Sequence, residues 1–511
     1  MHMAEFSTLS AVDLGSNSFR LEIGRVVDDQ IYPLDSLREP VRLAAGLTPD
    51  KRLTEEAQQR ALKALACFGE RLRGLPPEAV RAVGTNTLRM AKNAKDFLTR
   101  AEAALGSPIE VVAGREEARL IYLGVAHSLP VTRDRRLVVD IGGGSTEFII
   151  GSGFRPRQLE SLYMGSVNWS LRFFPGGKIS KSALKQAELA ARVELETIAR
   201  EFSAGHWEAA VGSSGTARTL GEILQMRGWS DGGLTADGLE QLRAELIKAG
   251  DVGRLEFPGL RPDRIPVLPG GFAIMSAIFS ELEVPRMELA TGAMRQGILY
   301  DLLGRFHHHD MRDATVAQFM KRYHVDSRQA QRVEVLALHL LRQLSLDLRT
   351  NPEYPLHLLS WAARLQEIGL SVAYSGYHKH SAYILSHADM PGFSKMEQAH
   401  LALLVLAHRG NMEKMKGQIT DSLDLAMVMA LRLAVLLHRS RSDVRLPPME
   451  AHYDGKRFEL RLDPGWLAAH PLTVASFSEE VKEWKKLGVG LQIRDLEVVE
   501  TDEEPAAADG E

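Results

Sequence analysis

The first 305 or so residues alternate short apolar runs with longer amphipathic segments. The runs at Ala11–Asp13, Ile109–Val112 and Leu137–Val139 have the length and composition of buried strands. Glu55–Leu72, in contrast, carries its apolar residues at the 3.6-residue period of a helix. This alternation predicts an α/β fold, in which a largely parallel sheet is flanked by helices.

Beyond about residue 310 the strand patterns disappear and long helical periods take over, as at Ala330–Leu344. The pair Pro447-Pro448 breaks that pattern, and strand-like sequence returns at Phe458–Leu462 and Val489–Val499. We therefore predict an all-α domain and then a small α/β domain. The acidic, Ala-rich residues Thr501–Glu511 are predicted to form a disordered tail.

One motif occurs twice, as Val12-Asp13-Leu14-Gly15-Ser16-Asn17-Ser18 and as Val139-Asp140-Ile141-Gly142-Gly143-Gly144-Ser145-Thr146. Each copy has strand-like sequence on both sides, so each predicts a β-hairpin closed by a turn of small, hydroxyl-bearing residues. The repeat predicts two related lobes whose turns face each other across a cleft. Both turns would then present backbone N–H groups to the same ligand.

These turns suit phosphate, because small residues let the backbone approach closely and consecutive N–H groups can bind phosphate oxygens. An aspartate, Asp13 or Asp140, ends the strand before each turn, and a carboxylate beside phosphate requires a divalent cation between them. Mg²⁺ is therefore predicted. A P-loop is excluded because Gly176–Ile179 lacks its spacing and hydroxyl, and a dinucleotide fold because Gly142–Gly144 leads into a strand.

Two further segments carry charged groups close to predicted strand ends. Glu117 shares a helical face with Leu120 and Ile121, so its carboxylate is either a general base that activates water or a complement to the helix dipole. For its neighbour Glu116 we expect only the dipole role. Arg89 either pairs with phosphate oxygens or lies on a helix surface.

Two more turns, Val211–Thr216 and Ala290–Ala293, each lead into a predicted helix. They either bind phosphate or a nucleotide at a helix N-terminus, or simply connect a strand to a helix.

Composition narrows the class of protein. Lys and Arg number 62 against 66 Asp and Glu, a formal charge of −4, so the chain lacks the basic excess of a dedicated nucleic-acid binder. The single cysteine, Cys67, can form neither an internal disulfide nor a Cys-based zinc site. The sequence shows no targeting pattern and no apolar stretch long enough for a bilayer, so we expect a cytoplasmic protein without membrane insertion.

Together, five ordered motifs resemble those of the exopolyphosphatase and guanosine pentaphosphate phosphohydrolase family, within the superfamily of actin, sugar kinases and heat-shock chaperone ATPases: Ala11–Phe19, Gly84–Arg89, Gly114–Arg119, Asp140–Glu147 and Gly212–Thr216. The resemblance spans nearly the whole chain. It implies an actin-like duplicated fold with lobes at 1–122 and 123–307, an HD-like helical domain at 308–445, a small α/β domain at 446–500 and the tail at 501–511.

The resemblance also implies roles for individual residues. Glu117 corresponds to the family's catalytic glutamate, and Asp140 with Glu147 to its magnesium-binding pair. The positions expected to bind substrate phosphates are Asp13, Gly15, Ser16, Asn17, Ser18, Arg89, Gly142, Gly143, Gly144, Ser145, Thr146, Gly212, Ser214, Gly215 and Thr216. The implied reaction is attack of water, activated by Glu117, on a terminal phosphoryl group, with release of orthophosphate.

Within the family we favour inorganic polyphosphate as substrate, because Gly142–Thr146, Phe173–Gly177 and Ser375–Tyr383 look more like the exopolyphosphatase branch. The alternatives are hydrolysis of guanosine pentaphosphate, phosphoryl transfer from polyphosphate to an acceptor such as ADP, and a non-catalytic sensor. The family resemblance also suggests a homodimer. A monovalent cation such as K⁺ is a further candidate cofactor.

The helical domain resembles the HD phosphohydrolases, but Gln366-Glu367 stands where a His-Asp pair would hold metal. Glutamine replaces a histidine ligand poorly, so no independent metal site is expected there. We expect either a basic wall that guides a polyanion or ordinary solvated surface charge from His378, Lys379, His380, His408 and Arg409. Consecutive histidines on a helix point in different directions, so we assign no role to His307–His309.

Overall fold

The computed structural model describes residues 6–27, 30–130, 132–257, 260–306, 310–348, 353–419 and 421–495. These residues form two compact units. The first contains the described residues up to Arg312 together with Asp389–Met396, and the second contains Asp313–Ala388 and the described residues from Glu397 onward. Within the described residues, no helix is long and apolar enough to cross a membrane.

The first unit begins with a five-stranded sheet in the order β3-β2-β1-β4-β5. Its strands are β1 (Thr8–Leu14), β2 (Phe19–Val27), β3 (Gln30–Glu39), β4 (Val80–Gly84) and β5 (Ile109–Val111), and its helices are α1 (Glu55–Leu72), α2 (Asn86–Met90), α3 (Ala94–Leu105) and α4 (Gly114–Ser128). Strand β1 pairs antiparallel with β2 and parallel with β4, which aligns Leu14 with Gly84. The turn after β1 and the start of α2 therefore lie at the same edge of the sheet.

A second sheet of six strands follows, in the order β10-β11-β9-β6-β7-β8. Its strands are β6 (Arg136–Ile141), β7 (Thr146–Ser152), β8 (Arg155–Leu162), β9 (Ala209–Ser213), β10 (Leu234–Thr235) and β11 (Arg286–Leu289), and its helices are α5 (Ser166–Phe173), α6 (Lys181–Phe202), α7 (Ser214–Met226), α8 (Ala236–Ala249), α9 (Leu268–Glu281) and α10 (Met294–Phe306). Strand β6 pairs antiparallel with β7 and parallel with β9, as β1 does with β2 and β4. The sequence repeat is thus a repeat of structure.

Helices α4 and α10 join the two sheets. They pack closely because both carry glycine at the crossing: a Cβ added to Gly124 would lie 2.0 Å from the Ala293 carbonyl oxygen, and one added to Gly297 would lie 1.7 Å from that of Leu120. Side chains from both sheets share one buried apolar core with these helices, including Ala11 and Val138. This shared core fixes the edges of the two sheets relative to each other.

The second unit is mainly helical. Its helices are α11 (Met311–Arg322, which starts in the first unit), α12 (Ser327–Leu348), α13 (Glu353–Leu365), α14 (Tyr377–His387), α15 (Lys395–Ala407, which also starts in the first unit), α16 (Ser422–Leu437), α17 (Pro464–Ala469) and α18 (Pro471–Lys486). Its strands β12 (Met449–Tyr453), β13 (Arg457–Leu462) and β14 (Gly490–Asp495) form a three-stranded sheet. The predicted α/β part and helical C-terminal region are confirmed.

Some sequence predictions concern residues at the margins of this description. His307–His309 and the tail 501–511 lie outside the described residues. Helix α4 spans the expected lobe boundary at 122, because it packs on strands β7 and β8 of the second sheet. Asp389–Met396, which we expected to belong to the helical domain, forms part of the first unit.

Candidate active site

The two small-residue turns lie on one cleft. A Cβ added to Gly143 would lie 3.1 Å from the Ser16 Cβ and 3.3 Å from the Asn17 backbone nitrogen, and one added to Gly144 would lie 3.2 Å from the Ser16 Oγ. At these distances a Cβ would push the facing turn back by a few tenths of an ångström, so glycine lets the second turn approach the first more closely. The turns face each other, as the repeat predicts.

Most of the predicted site residues line this cleft. Those that do are Asp13, Gly15, Ser16, Asn17, Ser18, Glu117, Asp140, Gly142, Gly143, Gly144, Ser145, Glu147, Ser214, Gly215 and Thr216. They come from the ends of β1 and β6, the starts of β7 and α7, and the first turn of α4. The structure thereby brings together residues up to 203 positions apart in the chain.

Three predicted phosphate-binding residues lie elsewhere. The Thr146 hydroxyl is buried and donates to the Met164 carbonyl oxygen at 2.6 Å, because position 146 already belongs to strand β7. Gly212 lies within strand β9, where an added Cβ would meet Ala217 and Met287. Arg89 does not line the cleft either, because its guanidinium is engaged by the protein.

Arg89 is the partner of Glu117. Its Nη1 donates to the Glu117 Oε2 at 2.6 Å and to the Val112 carbonyl oxygen at 3.0 Å. Burial alone would lower the pKa of Arg89, but the Glu117 carboxylate outweighs it and the pKa is raised. Glu117 itself is 7% exposed and lines the cleft in the first turn of α4. The ion pair therefore orients a buried carboxylate toward the cleft, which is the geometry a general base requires.

Three more carboxyl groups converge here. Burial raises the pKa of Asp140 to about 7, with the Ser213 hydroxyl opposing the rise and the Glu117 charge adding to it. Burial likewise raises the pKa of Asp13 to about 6 against the attraction of Arg295 and Arg20. The pKa of Glu147 is raised well above its usual value by burial and by Glu117 and Asp140. Bringing buried carboxylates together favours either protonation or a bound cation.

Asp140 and Glu147 supply two carboxylates for Mg²⁺, which is only part of its coordination shell. Asp140 and Glu147 are paired across strands β6 and β7, so both carboxylates come from neighbouring backbone positions. Ser161 donates to the Glu147 Oε1 at 2.8 Å and orients that carboxylate. In the described part of the chain, no three His, Cys, Asp or Glu side chains are grouped as a metal site. Mg²⁺ usually takes one or two carboxylates, and completes its shell with water and substrate phosphates.

Sequence reasoning missed a cluster of four cleft arginines: Arg20, Arg218, Arg264 and Arg295. Burial lowers the pKa of Arg20 to about 10, with Arg295, Arg264 and Arg218 adding to the effect and Asp13 opposing it. Arg295 is held by Glu22, whose Oε2 lies 2.9 Å from its Nε. Converging guanidinium groups repel each other unless an anion lies between them, so this side of the cleft suits a polyanion.

The sequence repeat contained one indication that Arg20 belongs to the site. Glu147 follows Arg20 by 127 positions, the same offset that separates Asp140 from Asp13. In the structure, Asp13 pairs with Arg20 across the first hairpin just as Asp140 pairs with Glu147 across the second. Comparison of the hairpins beyond their turns would have shown that one lobe supplies a cation where the other supplies an anion.

The third predicted turn, at the start of α7, uses its hydroxyl groups internally. Ser214 and Thr216 both donate to the Ile141 carbonyl oxygen, at 3.1 and 2.9 Å. Ser214 has a positive φ of 77°, which directs the backbone from strand β9 into the helix. The hydroxyls therefore tie this turn to strand β6, and Gly215 leaves room for the Arg264 guanidinium, 2.0 Å from where its Cβ would be.

Asn86 is another residue that the sequence motifs did not single out. It begins α2, is 7% exposed, and its Oδ1 would lie 2.7 Å from a Cβ on Gly144. Its Nδ2 is buried without a hydrogen-bond partner among the described residues. An unpaired donor beside the second turn can serve an anionic ligand.

In the second unit, the expected basic wall is only partly cationic. Burial lowers the pKa of His408 to about 3, and burial together with Arg409 lowers that of His378 to about 4. Both are therefore neutral near pH 7, which contradicts their predicted positive charge. Lys379 is exposed, and the Arg409 guanidinium lies 4.9 Å from the centre of the Tyr377 ring.

His380, the remaining member of that expected wall, is half-buried on α14. At the position of the HD pair, the Gln366 side chain is 2% exposed and Glu367 forms an ion pair with Arg441.

The duplicated hairpins, the facing turns and the cleft between them define an actin-like fold. Residues 22–306 match the model of the Ppx/GppA phosphatase family, and residues 311–481 match Ppx/GppA phosphatase, domain III. The chain belongs to the Ppx/GppA phosphatase family, as the motifs indicated.

The chain is 37% identical over 483 residues to the guanosine-5'-triphosphate,3'-diphosphate pyrophosphatase of Aeromonas hydrophila, covering 94% of this chain and 97% of that protein. A solved exopolyphosphatase-like protein is 25% identical, with a TM-score of 0.53 over 58% of this chain and 97% of its own. An exopolyphosphatase from Cytophaga hutchinsonii, 24% identical with a TM-score of 0.53 over 59% of this chain and 98% of its own, supports the fold alone.

Proposed function

We propose that this phosphatase hydrolyses the terminal 5′ phosphoanhydride bond of guanosine pentaphosphate. The Aeromonas hydrophila relative, which matches across nearly the whole of both chains, is named a guanosine-5'-triphosphate,3'-diphosphate pyrophosphatase. This relative therefore favours guanosine pentaphosphate over inorganic polyphosphate, the substrate that the sequence motifs favoured. The chemistry proposed is the same for both substrates, because each ends in a phosphoanhydride-linked phosphoryl group.

The observation that carries the proposed chemistry is the placement of Glu117 on the cleft between the two facing turns. A terminal phosphoryl group held between the turns would be surrounded by backbone N–H groups of both lobes. Donors already in place stabilise negative charge as it develops in the transition state, without a reorganisation cost at that moment. The carboxylate of Glu117 then lies on the same cleft as the reacting phosphorus atom.

In the proposed reaction, Glu117 accepts a proton from a water molecule while the water oxygen forms a bond to the terminal phosphorus. The phosphoanhydride P–O bond breaks, and its electron pair stays on the bridging oxygen of the leaving guanosine tetraphosphate. Orthophosphate is the other product. Arg89 positions the base in this scheme, because its hydrogen bond occupies the Glu117 Oε2.

Mg²⁺ is the proposed cofactor, held by Asp140 and Glu147 with Asp13 close by. When bound, it would neutralise phosphate charge and polarise the phosphoryl group. The raised pKa values of these carboxyls support this assignment, since a cation relieves the cost of burying them together. The arginine cluster would hold the phosphate groups that do not react, with Arg20 at its centre.

The test is turnover on guanosine pentaphosphate and on long-chain polyphosphate, side by side, with and without Mg²⁺. We expect Mg²⁺-dependent orthophosphate release and a higher kcat/KM for guanosine pentaphosphate. A higher kcat/KM for polyphosphate would overturn the substrate assignment and leave the phosphatase chemistry intact. Formation of ATP from polyphosphate and ADP would instead support a phosphotransferase, and binding without any turnover would support a sensor.

The role of Glu117 is tested with Glu117→Gln. The matched control is Glu56→Gln, which also replaces a glutamate in the first turn of a helix but at a position whose side chain is 88% exposed. We expect Glu117→Gln to lose turnover by about 100- to 10,000-fold and to keep substrate binding. Equal rates for the two variants would remove Glu117 from the mechanism.

Polyphosphate stays the second candidate substrate, supported by the likeness to the solved exopolyphosphatase-like protein. The homodimer and the cytoplasmic location stay predictions from the sequence, and K⁺ stays a candidate second cofactor.

A further inference from the structure

Eight residues, Asp389–Met396, leave the helical part of the chain and pack with the first unit. We call them the clasp segment. They connect α14 to α15 in sequence, and they contact the first turn of α4, which carries Glu117. Their position therefore raises the question of what they do for the proposed base.

The central contact is made by Glu116. The Gly392 N–H donates to the Glu116 Oε2 at 2.8 Å, and this hydrogen bond is buried. The same carboxylate accepts from the Nε and Nη2 of Arg119, both at 2.8 Å. Glu116 is 3% exposed, so besides the helix-dipole role expected from the sequence it is a buried anchor for the clasp segment.

Two further contacts fix the clasp segment on either side of this bond. The Arg115 Nη1 donates to the Asp389 Oδ2 at 2.9 Å, and the Arg305 Nη2 donates to the Gly392 carbonyl oxygen at 3.3 Å. Both polar groups of the Gly392 backbone are therefore held, by residues of α4 and α10. The clasp segment is thus hydrogen-bonded to the side chains of Arg115 and Glu116, the two residues immediately before Glu117 in helix α4.

Gly392 is required by its surroundings as well as by its conformation. Its φ is +88°, and a Cβ would lie 3.0 Å from both the backbone nitrogen and the Cγ of Arg312. A side chain there would push the backbone away from Arg312 and strain its conformation. The tight fit means that the position of the Gly392 N–H is determined by the fold.

The far end of the clasp segment lies within electrostatic range of Arg89, the arginine that pairs with the proposed base. Lys395 is half-buried, and its pKa is lowered by burial and by the Arg89 guanidinium, with Asp389 opposing. Arg89 is the residue that donates to Glu117. The clasp segment therefore contacts one side of the first turn of α4 and lies within electrostatic range of the arginine that orients Glu117.

We propose that the clasp segment is a positioning element of the active site, which holds Glu117 in its working place through the Gly392–Glu116 hydrogen bond. Glu116 is then a positioning residue, and Glu117 remains the catalytic one. Neighbouring side chains on a helix share one backbone, so fixing the Glu116 carboxylate restricts movement of the Glu117 Cα. Misplacement of a reacting group by about 1 Å can lower a rate by about 100-fold.

The test compares Gly392→Ala with Gly74→Ala in the full-length protein, assayed on guanosine pentaphosphate with Mg²⁺. Gly74 also has a strongly positive φ, +97°, but nothing lies within 4 Å of its added Cβ, so it is a control for backbone strain alone. We expect Gly392→Ala to lower kcat by about tenfold or more with little change in KM, and Gly74→Ala to leave kcat unchanged. A folded Gly392→Ala protein with wild-type kcat, or with a change in KM alone, would overturn the proposal.

If Gly392→Ala fails to fold, native-state hydrogen exchange of the wild-type protein tests whether the clasp segment and the first turn of α4 are held together. We expect peptides covering 114–119 and 389–396 to lose protection together as urea is added, because one hydrogen-bonded contact holds both. Independent opening of the two peptides would overturn the proposal. The inference rests on the proposed role of Glu117, and the two are separable: an active Glu117→Gln variant refutes the base, whereas the results above concern only its support.

Discussion

The buried carboxyl of Asp140 offers a sharp test of the electrostatics of the cleft. Its pKa is raised from 3.8 to about 7, chiefly by burial, so ionising it in the folded protein without metal costs roughly 4 kcal/mol. Between these two pH values the folded state binds more protons than the unfolded state. Stability from this group is therefore lost as the pH rises from about 4 to about 7.

The perturbation is Asp140→Asn, which removes the ionisation and keeps the size of the side chain. In EDTA, we expect the variant to match the wild type near pH 4 and to exceed it by up to about 4 kcal/mol above pH 7. This corresponds to a rise in Tm of roughly 6 °C for the transition of the first unit. In Mg²⁺ the stability difference between the variant and the wild type should shrink or change sign. The variant lacks one of the proposed Mg²⁺-binding carboxylates, so it gains less stability from bound Mg²⁺.

The assay is calorimetric unfolding at pH 5 and pH 8, in EDTA and in Mg²⁺. The control is Asp301→Asn, a second buried carboxylate in the same unit, for which the opposite sign is expected. Burial would raise the pKa of Asp301, but Arg119 and Arg81 outweigh it and hold the pKa well below its usual range. Removing this charge takes one carboxylate partner from each of two buried arginines, which keep Glu116 (for Arg119) and Glu110 (for Arg81), and should cost about 1–3 kcal/mol. If Asp140→Asn is less stable than the wild type at pH 8 in EDTA, the account of the cleft is wrong.

Three further outcomes are expected. Gly144→Ala should lower kcat/KM by about 10- to 100-fold in steady-state assays, because the new Cβ would lie 2.7 Å from the Asn86 Oδ1. The control is Gly153→Ala, whose new Cβ would have no atom within 4 Å. Arg20→Ala should weaken substrate binding by about 10- to 100-fold, measured by titration of the Glu117→Gln protein, and unchanged affinity would exclude the arginine cluster from binding. Chelation of Mg²⁺ should abolish turnover and its return restore it; full activity in EDTA would refute the metal assignment.

The local features of the site could be predicted from the sequence because they depend on short spacings. Asp13 and Asp140 lie at strand ends next to small-residue turns, and the pairing of β1 with β2 and of β6 with β7 follows from that local pattern. The helical period placed Glu117 on the packed side of α4, and the structure buries it there. The occurrence of two copies was itself enough to predict two lobes.

Partners drawn from distant parts of the chain were not predictable in this way. Arg89 was expected either to bind phosphate or to lie on a surface, and its pairing with Glu117, 28 positions away, was not foreseen. Charge was overestimated at His378 and His408, because the sequence does not show how deeply a histidine is buried. Substrate preference also depended on short motifs shared across the family, and the full-length relative supports the other substrate.

The sequence by itself determined the two hairpins, their aspartates and the helix that carries Glu117, since hydrogen bonding and side-chain direction within a few residues are set by local residue type. Only the tertiary structure decided that Arg20, Arg218, Arg264 and Arg295 converge on one cleft, and that residues 389–396 hold the first turn of α4. Those contacts arise because elements distant in the chain pack on a shared core. The spacing of arginines or glycines within one segment does not determine where that packing places their side chains.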